Sequence, residues 1–181
     1  MPKIGLFYGS TTGNTADAAE TIRQAFNEIS PGSIEDVFDI AQTGIEAMAD
    51  YDMLILGIST WDIGELQYDW VDVMDDLENL DLDGKKVAIF GLGDQLGFPD
   101  TFQDAIGMLG EEVRKRGAEL VGFTSTEGFN FYESRGVENG QFMGLSLDED
   151  NQPDLTAKRI KDWVEQLQEE FEFKERYHVR K

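Results

Sequence analysis

Residues 7–22 read FYGSTTGNTADAAETI and join an apolar segment to a helical one through small and hydroxyl-bearing residues. The segment before this loop, residues 3–9 (KIGLFYG), is nearly continuously apolar, as is typical of a strand covered on both faces. In residues 14–26 the apolar side chains recur at helical spacing. A buried strand, a loop and a helix in this order favour a parallel α/β sheet.

The same alternation continues along the rest of the chain. Further strands are predicted at residues 37–40, 53–58, 86–92 and 119–124, and further helices at residues 45–48, 66–80, 102–116 and 155–171. This pattern predicts a three-layer, doubly wound α/β domain with a five-stranded parallel sheet. Ligands of such domains bind beyond the carboxyl ends of the strands.

Composition narrows the chemistry. The chain has 181 residues, enough for one domain with a sizeable core, and it contains no cysteine and a single histidine, His178. Disulfides, cysteine-ligated iron–sulfur clusters and thiolate zinc sites are therefore excluded, and we predict no metal site. Redox chemistry would require an organic cofactor.

No segment has the pattern of a membrane span or a signal peptide, which predicts a cytoplasmic protein with no membrane association.

The formal net charge is −22, from 37 acidic and 15 basic residues. Such a charge repels nucleic acid and anionic membranes. It is explained either by solubility alone or by a docking surface for basic partners. The end of the chain, residues 174–181 (KERYHVRK), is basic instead. We interpret it as a solvated tail, with folding onto the acidic surface as the alternative.

The loop at residues 9–15 has the features of an anion site. It precedes a helix, whose N-terminal amides and dipole favour an anion. The hydroxyls of Ser10, Thr12 and Thr15 can add donors, and Gly13 allows close approach of the backbone. The loop lacks the lysine and spacing of a Walker A motif and is not a dinucleotide finger. It therefore predicts a single phosphate monoester, with a simple helix N-cap as the alternative.

Two other segments follow strands, residues 59–66 (STWDIGEL) and residues 91–98 (GLGDQLGF). Together with GSTTGNT at residues 9–15, and in this order, they resemble segments of the flavodoxins, which carry electrons on non-covalently bound flavin mononucleotide (FMN). The resemblance covers residues 3–171 and implies the strand order 2-1-3-4-5.

The resemblance also implies the domain organisation. Residues 1–173 would form one flavodoxin-like FMN-binding domain, followed by the basic tail at residues 174–181. The glycine- and aromatic-rich residues 125–147 would be the loop insertion that splits the last strand in long-chain flavodoxins.

Carried over position by position, the resemblance implies an FMN site. The first loop would hold the phosphate, Trp61 would stack on one face of the isoalloxazine ring, and Phe98 would replace the usual tyrosine on the other. Asp94 would lie near the pyrimidine edge of the ring and Asp150 near the ribityl chain. The implied cofactor-binding residues are Ser10, Thr11, Thr12, Gly13, Asn14, Thr15, Ser59, Thr60, Trp61, Asp62, Ile63, Gly64, Gly93, Asp94, Phe98 and Asp150. Trp70 and Trp163, which lie on apolar helix faces, are predicted to be core residues.

The implied function is a low-potential one-electron carrier, not an enzyme, that uses the semiquinone/hydroquinone couple of FMN. Flavodoxins rotate a peptide beside the flavin on reduction, which here would be the peptide from Asp62 to Ile63. A β-carbon at residue 62 resists positive φ by roughly 1 kcal/mol, so Asp62→Gly is predicted to raise the first reduction potential. Acidic residues near the ring would lower the second potential.

Charge placement points to the partners. Residues 61–84 contain nine acidic residues and no lysine or arginine. We predict that Glu65, Asp69, Asp72 and Asp76 share one helix face beside the ring edge. This face would attract the basic faces of redox proteins, namely a reductase donor and an electron acceptor, to a monomer.

Two alternatives stay open. The first is an FMN-dependent quinone or flavin reductase on the same fold, which needs a substrate pocket over the ring. The second is a flavodoxin-like binding module without flavin. Coverage of both ring faces by Trp61 and Phe98 favours the carrier.

Overall fold

A computed structural model describes residues 3–179, and the side chains as far as Phe171. The strands are β1 (Ile4–Tyr8), β2 (Val37–Asp39), β3 (Met53–Trp61), β4 (Glu65–Leu66), β5 (Lys86–Leu92), β6 (Glu119–Val121), β7 (Thr124–Ser125), β8 (Val137–Glu138), β9 (Gln141–Phe142) and β10 (Leu145–Leu147). The helices are α1 (Asn14–Ile29), α2 (Ile40–Thr43), α3 (Tyr68–Leu77), α4 (Asp104–Lys115) and α5 (Thr156–Val179), with 3₁₀ turns at Glu46–Asp50 and Pro153–Leu155.

The central sheet confirms the predicted architecture. Its parallel strands run in the order β2, β1, β3, β5, with the fifth position shared by β6 and β10. This is the predicted order 2-1-3-4-5. Helices α1 and α5 cover one face of the sheet, and α3 and α4 cover the other.

Two apolar cores form because successive strand residues point to opposite faces of the sheet. In β3, Ile55 packs under α1 and α5, whereas Leu54 and Leu56 pack under α3 and α4. Trp70 and Trp163 are both buried, one in each core, and each donates its indole N–H to a backbone carbonyl. The prediction that these two tryptophans are core residues is therefore confirmed.

The last strand is divided as predicted, but the predicted bounds of the insertion, residues 125–147, are wrong, because residues 145–147 return to the sheet as β10. β6 pairs with the first half of β5 and β10 with the second half, both in parallel. Residues 122–144 leave the sheet between them and form a small antiparallel sheet of β7, β9 and β8. Four aromatic rings join this insertion to the start of α4, with centroids 5.2 to 5.8 Å apart: Phe102, Phe129, Phe131 and Phe142.

The predicted helix at residues 66–80 is wrong at its start. Residues 65 and 66 form β4, which pairs antiparallel with the end of β3, so that Thr60 faces Leu66 and Trp61 faces Glu65. Gly64, at φ 90°, reverses the chain, and its N–H donates to the carbonyl of Trp61 (3.1 Å). The helix begins only at Tyr68, so Glu65 does not belong to the acidic helix face.

Other boundaries shift for local reasons. α4 begins two residues later than predicted, after Gln103 at φ 59°. β6 ends at Val121 because Gly122 has a φ of 82°. α1 extends to Ile29, and the predicted helix at residues 45–48 is a 3₁₀ turn.

The predicted tail at residues 174–181 is only partly described. The backbone of α5 continues to Val179, whereas residues 180 and 181 and the side chains after Phe171 lie outside the described part of the chain. Among the described helices, none combines the length and the apolar composition needed to cross a membrane.

Candidate functional site

A cleft of about 410 Å³ opens at the carboxyl ends of β1, β3 and β5. This volume falls within the range typical of small-molecule sites. Its lining consists of Thr11, Thr12, Asn14, Thr15, Ser59, Thr60, Trp61, Asp62, Leu92, Gly93, Asp94, Phe98, Glu149 and Asp150. Twelve of the sixteen residues predicted for the site are in this set, and the other four are Ser10, Gly13, Ile63 and Gly64.

The first loop is held in shape by a residue that does not line the cleft. Ser10 Oγ accepts hydrogen bonds from the amides of Gly13 (3.1 Å) and Ala16 (3.4 Å). Gly13 precedes α1 with a φ of 96°, a conformation that favours glycine. Ser10 and Gly13 therefore shape the loop, while threonines and an asparagine line the cleft.

Sequence reasoning missed Gln67, which connects the first loop to α3. Its side chain is fully buried, and Nε2 donates to Thr11 Oγ1 (3.0 Å) and to Asp69 Oδ2 (2.9 Å). A Cβ on Gly9 would lie 2.2 Å from Gln67 Oε1, so a larger residue at position 9 would displace the Gln67 side chain from this position. No local pattern indicates this contact, because its partners are 56 residues apart.

The second loop is the turn between β3 and β4. Trp61 is partly buried, and its Nε1 donates to Ser59 Oγ (2.8 Å). The next residue, Asp62, is exposed and has a φ of 46°. Ile63 is 79% exposed at the tip. The left-handed strain that we expected at Asp62 only after peptide rotation is thus already present in this conformation.

Thr60 has a second role besides lining the cleft. Its Oγ1 accepts a hydrogen bond from the amide of Ala105 (3.0 Å), in the first turn of α4. One unpaired donor of that helix is thereby satisfied. The second loop is in this way anchored to α4 at its base, below the exposed tip.

The third loop is folded around Asp94. Asp94 Oδ1 accepts a hydrogen bond from the amide of Gly97 (2.8 Å), and its carbonyl accepts one from the amide of Phe98 (3.0 Å). Phe98 is 43% exposed and lines the cleft. Leu92, the last residue of β5, also lines the cleft and was missed because it reads as the end of an apolar strand.

An acidic wall completes the cleft. Burial, and then the charges of Asp94, Asp148 and Glu149, raise the pKa of Asp150 above its usual value. Glu149 was not predicted, although it adjoins Asp150. No lysine, arginine or histidine is found among the described lining residues, whereas four of them are acidic. The cleft therefore combines hydroxyl groups at the start of α1 with carboxylates from the second loop, the third loop and residues 149–150.

Carboxylate oxygens of Asp94, Asp148 and Asp150 lie within 4.8 Å of one another. Both oxygens of Asp148 already accept hydrogen bonds from amide groups of Gln95 and Asn151. This arrangement is a carboxylate held by amides, which accounts for the proximity of the acids without a metal ligand set.

Comparisons with known proteins agree on one family. The family model described as Flavodoxin matches residues 6–163. The flavodoxin of Synechococcus elongatus is 52% identical over 171 residues, which span 94% of this chain and 99% of that protein. Flavodoxin 1 of Escherichia coli is 43% identical over 176 residues, which span 97% and 98% of the two chains.

A solved flavodoxin structure also has a fold similar to that of this chain. The Fusobacterium nucleatum flavodoxin bound to flavin mononucleotide aligns with a TM-score of 0.88 at 37% identity, over 94% of this chain and 99% of that one. The insertion at residues 122–144 is compatible with a long-chain flavodoxin, and membership of that subgroup stays a prediction. The resemblance inferred from three loop segments is confirmed, and this chain belongs to the flavodoxin family.

Proposed function

We propose that this protein is a low-potential one-electron carrier that binds FMN non-covalently in the cleft and exchanges electrons with redox proteins. One observation carries the proposal: a single cleft combines a hydroxyl-rich loop at the N-terminus of α1 with two aromatic side chains, Trp61 and Phe98, from separate loops. Bound FMN supplies chemistry in one-electron steps, while the protein supplies binding and electrostatics.

The first loop fits the phosphate end of FMN. Uncharged donors at a helix N-terminus favour an anion, and Thr11, Thr12 and Thr15 provide hydroxyls at that end of the cleft. The flavodoxin that resembles this chain at a TM-score of 0.88 binds the same cofactor. We therefore assign the phosphate to this loop and the ring to the space beside Trp61 and Phe98.

The acidic wall supports a low potential. A full second reduction adds negative charge to the ring, and poorly screened carboxylates oppose that charge. Asp62, Asp94 and Asp150 all line the cleft. Neutralising a lining carboxylate by Asp94→Asn is expected to raise the second reduction potential, whereas Asp154→Asn, an exposed substitution outside the cleft, serves as the control.

The rim of the cleft supports docking of a basic partner. Four large apolar side chains are exposed in or just after the second and third loops: Ile63, Tyr68, Leu96 and Phe98, at 79%, 76%, 63% and 43%. The acidic residues Asp72 and Asp76 are exposed on the adjacent helix α3. Exposed apolar side chains at these loops together with exposed carboxylates on α3 fit a reductase donor and an electron acceptor that present basic faces.

Cofactor binding tests the carrier directly. The purified protein, or its apoprotein mixed with FMN, is expected to show a flavin spectrum and to take up electrons in two resolved steps on photoreduction. Riboflavin, which lacks the phosphate, should bind more weakly than FMN. A protein with no FMN affinity would identify a binding module instead, and rapid oxidation of NAD(P)H by the isolated protein would identify a reductase.

Electrostatic docking needs a separate experiment. The electron-transfer rate with a basic redox partner should fall steeply as ionic strength rises. Asp72→Lys should slow transfer, whereas Glu28→Lys, which changes net charge equally near the far end of α1 and about 20 Å from the first turn, should not. Equal slowing by both variants would reject a docking surface at α3.

A further inference from the structure

We infer that Asp148 is a positioning residue that sets the third flavin loop and couples it to the insertion at residues 122–144. This inference rests on the proposed FMN site. Asp148 follows β10, is fully buried, and does not line the cleft. None of the ion pairs among the described residues includes it.

Amide donors hold the Asp148 carboxylate. Its Oδ2 accepts hydrogen bonds from the backbone amide of Gln95 (3.0 Å) and from Gln95 Nε2 (2.7 Å). Its Oδ1 accepts one from the backbone amide of Asn151 (3.0 Å). Every one of these partners donates, so the site requires a group that only accepts, which an ionised carboxylate is.

Gln95 carries the connection to the insertion. It is 2% exposed, and while its Nε2 donates to Asp148, its Oε1 accepts from the backbone amide of Asn130 (2.7 Å). Asn130 lies in the insertion, 35 residues further along the chain. The orientation of the Gln95 carboxamide is therefore fixed by Asp148 on one side and by Asn130 on the other.

Asn151 carries the connection to the cleft. Its Nδ2 donates to Asp148 Oδ2 (2.9 Å) and to Asp94 Oδ1 (2.7 Å). Asp94 lines the cleft, and its carbonyl accepts from the amide of Phe98, which also lines it. Asp148 is thus connected through Asn151 to Asp94, and through the Asp94 carbonyl to Phe98, two of the four third-loop residues that line the cleft, while Asp148 itself does not line it.

A role of Asp148 through its charge and a role through positioning predict opposite effects of its replacement on FMN affinity. Asp148 and Asp150 carry the same charge and their carboxylate oxygens lie within 4.8 Å. If Asp148 acted only through its charge, neutralising it would tighten binding of the anionic FMN, as neutralising Asp150 should. As a positioning residue, Asp148 should weaken binding when replaced, because Asp148→Asn turns an amide N–H towards donors.

The test measures FMN dissociation constants for the wild type, Asp148→Asn and Asp150→Asn, together with hydrogen exchange of the Asn130 amide with and without FMN. We expect Asp148→Asn to weaken FMN binding roughly tenfold and Asp150→Asn to leave it unchanged or tighter. FMN should slow exchange at Asn130 in the wild type and in Asp150→Asn, but not in Asp148→Asn.

A second variant covers the case in which Asp148→Asn does not fold. Gln95→Met removes both bridging hydrogen bonds while Asp148 keeps its Asn151 donors, and it should also abolish the FMN-dependent protection of Asn130. Equal effects of Asp148→Asn and Asp150→Asn on affinity would overturn the inference, and so, independently, would FMN-dependent protection of Asn130 that is retained in Gln95→Met. Failure of the wild type to bind FMN would instead reject the proposed function.

Discussion

The first and second loops, which both line the cleft, are built differently. Residues 9–15 are held by hydrogen bonds: Ser10 Oγ accepts from the amides of Gly13 and Ala16, and Thr11 Oγ1 accepts from Gln67 Nε2. The turn at residues 61–64 is anchored at its base but carries a left-handed Asp62 and a largely exposed Ile63 at its tip. The first loop is therefore held in one arrangement by hydrogen bonds, whereas the second loop stores backbone strain at its tip.

The largest expected effect is the loss of flavin affinity when Trp61, which we assign to the ring, is removed. Trp61→Ala removes a stacking surface worth about 1–3 kcal/mol, so binding of both FMN and riboflavin should weaken by up to about 150-fold. Fluorescence titration of the apoprotein measures both constants. Trp61→Phe keeps a ring and loses only the hydrogen bond to Ser59, and it serves as the control. A loss confined to FMN would place the ring elsewhere.

Ser10→Ala makes the corresponding test of the first loop, to which we assign the phosphate. Removing this cap should cost about 1 kcal/mol of FMN binding, roughly a fivefold loss, because the loop amides lose their fixed arrangement. Riboflavin has no phosphate, so its affinity should stay unchanged in the same titration. Ser30→Ala, at the opposite end of α1, is the matched control. Equal losses for the two flavins would show that this loop does not hold a phosphate.

The backbone strain at Asp62 in the second loop can be measured as a change in the free energy of unfolding. Asp62→Gly relieves a φ of 46° and should raise the free energy of unfolding of the apoprotein by up to about 1 kcal/mol, less the added chain entropy of glycine. Asn139→Gly, at φ 52° in the insertion, provides a comparison away from the cleft. Denaturant unfolding measures both. Destabilisation by Asp62→Gly alone would argue against stored strain.

Strain in the resting turn also refines the expected change in potential. If Asp62→Gly relieves both orientations of the peptide equally, the first reduction potential stays constant. A rise in potential therefore reports only the additional strain of the rotated turn. Potentiometric titration of the wild type and the variant separates the two outcomes.

The smallest expected effect concerns pH. Because the folded protein raises the pKa of Asp150 above 3.8, the folded state binds this proton more tightly than the unfolded state. The contribution of Asp150 thus favours folding at low pH and is lost as pH rises through the raised pKa. Asp150→Asn should flatten this decline by well under about 1 kcal/mol, since the side chain is exposed. Unfolding curves from pH 3.8 upward test it, and an unchanged slope would contradict it.

Sequence patterns were sufficient to predict those elements whose structure follows from their own apolar periodicity. The apolar run at residues 86–92 matches β5, and the helical stripes correctly placed Trp70 and Trp163 in the core. Eleven of the twelve predicted site residues that line the cleft come from three loops at strand ends, because parallel strands bring their carboxyl ends together.

What escaped prediction depends on contacts between distant segments. The reversal at Gly64 turned an expected helix start into β4, since pairing with β3 outweighs local helical spacing. Gln67 and Gln95 look like ordinary polar residues in sequence, yet both are buried and join loops more than 30 residues apart. Local periodicity contains no information about such bridges.

The divided last strand has a consequence for protein engineering. Val121 pairs with Ala88 and Leu145 with Phe90, so the two ends of the insertion are separated along β5 by a single position, that of Ile89. One amino acid could in geometric terms replace all of residues 122–144 and restore an uninterrupted strand. The same position is a site at which a foreign domain could be inserted, because both ends of the insertion are held side by side on β5.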